Sequence, residues 1–141
     1  LLACGVAFVG ITVALTLAAD VLRAGANMRQ RNAENASALV AMYRLRNEIS
    51  AATSFSQSGG GIAITSSTGG IRWQVATFGN TPYLTRVKSG STPAVKNAVA
   101  ENVSAIGVER NAHAVTLAIT AGTPGRRTRI NEVIKAWGVT L

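Results

Sequence analysis

A chain of 141 residues with 14 Lys and Arg against 6 Asp and Glu, a formal net charge of +8, is sized for about one small domain and disposed toward anionic partners. One cysteine and one histidine exclude an intrachain disulfide and leave too few ligands for a Cys/His zinc centre. Aromatic residues are 5% against 48% hydrophobic, so the core has to be built from Val, Ile, Leu and Ala, with Trp73 and Trp137 as large anchors.

From Leu1 to Ala19 (LLACGVAFVGITVALTLAA) no side chain carries a full charge, and Asp20 is the first that does. About 18 consecutive apolar residues suffice to cross the bilayer hydrocarbon as a helix. The opening segment therefore reads as a membrane-spanning helix, with Cys4 a small apolar side chain within it. The helical signal continues past it. From Asp20 to Ser54 there is no proline and the only glycine is Gly25, among Ala, Arg, Leu, Met, Glu and Gln. Met42, Leu45 and Ile49 recur at helical spacing, flanked by Ala38 and Ala52, and predict a helix-to-sheet core; Arg44, Asn47 and Glu48 are expected to point elsewhere. One continuous helix to about Ser54 would be roughly 80 Å long. Asp20 and Arg23, at i, i+3, are expected to form a local ion pair.

Ser56 to Gly61 (SQSGGG) reads as the helix stop. Beyond it the period changes to two. Ile62 and Ile64 alternate, then Ile71, Trp73 and Val75, ending near Phe78. Gly79-Asn80-Thr81-Pro82 reads as a turn into Tyr83–Lys88, and Ser89–Pro93 as a loop, while residues 94–102 allow a short helix or a turn. Val103–Arg110 and His113–Thr120 flank Asn111-Ala112 as a hairpin, with Val115, Leu117 and Ile119 on one face of its second strand. Gly122–Thr128 is a basic loop, and Arg129–Leu141 a closing strand with a bend near Gly138. The expected fold is α+β: a long N-terminal helix packed on an antiparallel sheet. Residues 1–22 form its apolar part, 23–55 its amphipathic continuation and 56–141 the head.

Enzyme chemistry fails on inventory. His113 and Asp20 are the sole members of their kinds and lie far apart in the predicted architecture, against a Ser-His-Asp triad. Gly59-Gly60-Gly61 lacks the Lys-Ser/Thr of a phosphate loop, and nothing marks two of Glu101, Glu109 and Glu132 as an acid/base pair. The expectation is a non-enzyme without metal or cofactor.

Two constellations remain. At about 100° per residue, Ala3, Ala7, Gly10, Ala14 and Ala18 fall within roughly 80° of arc. Small residues on one face let helix backbones approach closely in an apolar setting, so this face is expected to mediate helix packing. Arg126, Arg127 and Arg129 form the densest basic cluster, a candidate anion-binding site that could clamp phosphates. Aromatics for base stacking are sparse nearby, which does not support a single-strand reader.

In layout the chain resembles the type IV pilin and type II secretion pseudopilin superfamily. Leu1-Leu2-Ala3-Cys4-Gly5-Val6-Ala7-Phe8 resembles the stretch after the early glutamate of mature pilins. Tyr43-Arg44-Leu45-Arg46-Asn47-Glu48-Ile49 and Ala100-Glu101-Asn102-Val103-Ser104-Ala105-Ile106 are similar to J-type minor pseudopilins and related competence pilins. The family's early glutamate and processing site are not seen, nor are its mid-helix proline and C-terminal disulfide; a few residues are expected upstream of Leu1. The resemblance implies a structural subunit, trimmed by a leader peptidase, methylated at its N-terminus and held in the inner membrane before assembly. It would then join a periplasmic or extracellular filament, as a homo-oligomer or with other pilin-like subunits. The alternatives are a minor tip pilin binding DNA or an acidic polymer through the basic loop, and a monomeric membrane-anchored envelope binding protein.

Overall fold

The computed structural model describes residues 2–110 and 114–134, with side chains from Thr12 onward. The expected turn at Asn111-Ala112, His113, Trp137 and the bend near Gly138 lie outside the described residues, as do the side chains of Ala3, Cys4, Ala7 and Gly10. The fold is α+β, with helix α1 (Leu2–Ser50) and an antiparallel β head. The chain divides into two units, Leu1–Ala33 and Glu34–Leu141.

The first unit is helical throughout its described length. Among the described residues its large apolar side chains Val13, Leu15, Leu17, Val21, Leu22 and Met28 are uncovered, from 53% exposed at Val13 to 75% at Leu22. Asp20 and Arg23 form the expected ion pair at 3.8 Å, both largely exposed and so of small energetic weight. Among the described residues no helix is long and apolar enough to cross a membrane. Of the run expected to do so, the side chains of residues 1–11 lie outside the description.

In the second unit α1 stops at Ser50, short of the expected Ser54. The Ala52 amide bonds the Ile49 carbonyl at 3.2 Å, tightening the last turn, and the Thr53 amide already bonds Thr65 in the sheet. The stretch read as a helix stop is instead a hairpin. Strand β1 (Ser54–Ser58) pairs with β2 (Gly61–Ser66) through Gly59 and Gly60, whose φ angles of 55° and 69° suit a type I′ turn. Strands β3 (Gly69–Phe78) and β4 (Thr81–Lys88) follow, so Thr81 and Pro82 belong to β4 rather than to the turn. The stretch 94–102 resolves into a 3-10 turn (Val95–Asn97) and β5 (Ala98–Glu101). Then come β6 (Val103–Arg110), β7 (Val115–Ala121) and β8 (Thr128–Ile134); the rest of the expected closing strand lies outside the described residues.

All pairings are antiparallel, but they form two sheets, β1-β2-β3-β4-β5 and β6-β7-β8. Asn102 separates them. Its φ of 56° is left-handed, which breaks the extended run between β5 and β6. Side chains bridge the sheets elsewhere: the Val108 amide donates to Gln57 Oε1 at 2.9 Å, and the Arg110 guanidinium donates to the Phe55 carbonyl while covering the Phe55 ring.

The helix contributes Ala38, Ala41, Met42, Leu45 and Ile49 to the core, and the strands Ile62, Ile64, Trp73, Leu84, Val103, Leu117 and Ile119. On β7 the alternation of Val115, Leu117, Ile119 and Ala121 places each inward. Glu48 departs from the expected outward position. Its Oε2 accepts from the Trp73 indole at 2.7 Å and its Oε1 from Arg86 Nε at 2.7 Å, with Arg44 Nε at 3.6 Å. The reason is registry. Ile62, Trp73 and Arg86 lie in one row across β2, β3 and β4, so the indole and guanidinium are side by side under the helix. Trp73 is fully buried, and its N–H needs an acceptor. A second tie, Arg46 Nη1 to Glu132 Oε1 at 2.8 Å, links α1 to β8 of the other sheet.

Replacing Glu48 by Ala leaves the Trp73 N–H and the Arg86 guanidinium without their acceptor. Chemical denaturation of the full chain is expected to show a loss of about 2–3 kcal/mol, and a loss under about 0.5 kcal/mol would contradict the assignment.

Candidate functional site

The β7–β8 connection carries the basic cluster. Its shape is set by three residues with special backbones. Thr123–Arg126 forms a turn closed by the Arg126 amide on the Thr123 carbonyl at 2.9 Å. Pro124 stands at its second position and Gly125, with φ of 82°, at its third, the chemistry of a type II turn. Gly122 has φ of 116°, and a Cβ there would lie 2.4 Å from the Arg126 carbonyl oxygen. Only glycine lets the loop close so tightly.

The loop is also anchored from below. The Gly122 amide donates to the Asn102 carbonyl at 2.8 Å. Asn102 Nδ2 donates in turn to Glu34 Oε1 on α1 at 2.8 Å. Asparagine tolerates the left-handed backbone this corner requires better than other non-glycine residues. A short chain of hydrogen bonds thus runs from helix to sheet junction to basic loop. The side-chain amide of Asn102 is thereby committed to Glu34, a role that its place in the Ala100–Ile106 stretch does not reveal.

Within this frame the three arginines separate. Arg126 and Arg127 are exposed and have no carboxylate partner among the described residues. Arg129 is the second residue of β8; its Nε donates to Asn131 Oδ1 at 3.0 Å, and its Nη2 lies 4.0 Å from Glu109 Oε1. Arg129 also borders a hollow of about 200 Å³ on the outer face of the three-stranded sheet, floored by Ala105, Gly107 and Ala118. No titratable group besides Arg129 lines it.

The other candidate positions fall in both units. Ala14 and Ala18 are exposed on α1, while the side chains of Ala3, Ala7 and Gly10 lie outside the description. Met42, Leu45 and Ile49 are at most 3% exposed and lie between helix and sheets. On the solvent side of the same stretch, Leu39, Val40 and Tyr43 are 55–64% exposed.

No family model, characterised protein or solved structure matches this chain.

Gly122→Ala forces a Cβ against the Arg126 carbonyl. It is expected to cost about 1–3 kcal/mol in denaturation experiments, whereas Gly125→Asn, in open space at a left-handed position, is expected to cost less than about 1 kcal/mol. Equal costs would show that the loop does not close as described.

Proposed function

We propose that this protein is a structural subunit of a type IV pilus-like or pseudopilus filament, assembling non-covalently through its N-terminal helix. The observation that carries the reading is the uncovered apolar surface of α1. Val13, Leu15, Leu17, Val21 and Leu22 are all more than half exposed on a helix whose later turns are committed to a folded head. Large contiguous apolar surface is covered in the working state of a protein by lipid or by another chain. The filament reading supplies both in turn: the inner membrane before assembly, and helices of neighbouring subunits after it. The resemblance of Leu1–Phe8 and Tyr43–Ile49 to pilin segments supports the same reading.

The head is suited to being carried. Its part of the helix is locked to both sheets by Glu48 and Arg46, so the later turns of α1 and the sheets would move as one piece through extrusion. Assembly exchanges lipid contacts for helix–helix contacts, and close approach needs small side chains on the facing surfaces. Ala3, Ala7, Gly10, Ala14 and Ala18 are the residues assigned to that contact.

Gly10→Leu and Ala14→Leu are expected to leave the head folded, by circular dichroism and thermal melting, while filament yield in electron micrographs falls sharply. Normal filament yield in both variants would refute the packing face. Intact-mass analysis of the native N-terminus tests the processing implied by the family: the expected result is a glutamate ahead of Leu1 and a methylated amine.

A further inference from the structure

We infer that the Arg126–Arg127 turn is a docking site for carboxylates of an acidic protein partner, distinct from a second copy of this chain. The site rests on how charge is distributed over the head, and only the choice between a second copy and another protein draws on the filament reading.

The acids come first. All six lie in the described part of the chain; three are held by close hydrogen bonds and two stand in exposed ion pairs. Asp20 pairs with Arg23, Glu34 accepts from Asn102, and Glu48 holds Trp73 and Arg86. Glu109 lies beside Arg129, and Glu132 accepts from Arg46. Glu101 alone has no partner among the described residues. The cations are in surplus, and of these Arg126 and Arg127 are adjacent, exposed and held on a turn with a defined backbone. The turn fixes the backbone from which both side chains project, and a guanidinium matches carboxylate oxygens in a planar, bidentate geometry.

A second copy is a poor occupant. Glu101, the one acidic side chain without a partner among the described residues, is the sequence neighbour of Asn102, to which the loop itself is bonded. Bringing the Glu101 of one copy to the loop of another would therefore bring two basic loops together, and like charges so juxtaposed cost several kcal/mol. At a net charge of +8 the repulsion extends beyond the contact. A nucleic acid is also disfavoured. Only two adjacent cations stand in the loop, and no aromatic residue stands within it. A continuous phosphate track needs a longer basic path. A protein offering one or two carboxylates does not.

The test uses the full chain in detergent micelles at low ionic strength, with poly-glutamate as the probe and duplex DNA as a second probe. Arg126→Ala/Arg127→Ala is compared with Lys88→Ala/Lys96→Ala, which removes the same charge from the β4–β5 side of the head. Poly-glutamate is expected to bind the parent chain and to weaken about tenfold in the arginine variant, but less than about twofold in the lysine variant. Filament yield of the arginine variant on its own should be unchanged. Absence of poly-glutamate binding, or equal weakening in both variants, would overturn the site. Tighter binding of DNA through the same arginines would overturn the choice of partner, and lost filament yield would reinstate a second copy as the occupant.

Discussion

The carboxylate of Glu48 is the interaction on which the rest of the head depends. It sits at the boundary between helix and sheet and accepts at 2.7 Å from both the Trp73 indole and Arg86. Trp73 is the largest fully buried side chain described, and its single polar atom has to be met inside the protein. Meeting it from the helix fixes rotation and height together. With Glu48 placed, Leu45 and Ile49 fall onto the core side, and Arg46 is turned toward Glu132 on the other sheet. Apolar burial supplies the driving force but little directional information. The charge-assisted bonds supply the register.

The same economy of polar groups explains what the surface offers. Asn102 takes a left-handed corner that divides the strands into two sheets, and it spends both its carbonyl and its amide on neighbours: Gly122 and Glu34. That corner is also what presents Arg126 and Arg127. Glu34, Glu48 and Glu132 are spent in holding helix, sheets and loop together, while cations stand on the outside of the head and apolar side chains on the outside of the helix. In the two proposals these surfaces have different uses, the helix for copies of the chain and the basic loop for a partner of opposite charge.

Much of this was legible in the sequence, and the exceptions have physical reasons. The alternation at Ile71, Trp73 and Val75 and at Val115, Leu117 and Ile119 marked half-buried strands because burial on one face imposes period two. Met42, Leu45 and Ile49 marked a helix face for the corresponding reason. Glu48 was misread because local spacing describes only the helix, whereas its partners stand 25 and 38 residues away. Gly59-Gly60-Gly61 was misread because a glycine run can end a helix or turn a hairpin, and the choice lay in whether β1 could pair with β2. Asn102 carried no signal at all: nothing in its composition context shows a left-handed residue, and the split into two sheets followed from it.

The central claim is that the apolar surface of α1 is covered by neighbouring copies in the assembled state. Its most direct test is oxidative crosslinking of assembled material in a Cys4→Ser background, with a single cysteine at Ala14 or at Leu45. Position 14 is exposed on the helix and position 45 is buried in the head. The account predicts a crosslinked dimer from Ala14→Cys and only monomer from Leu45→Cys. Monomer alone from both, in material that electron microscopy confirms as assembled, would contradict it.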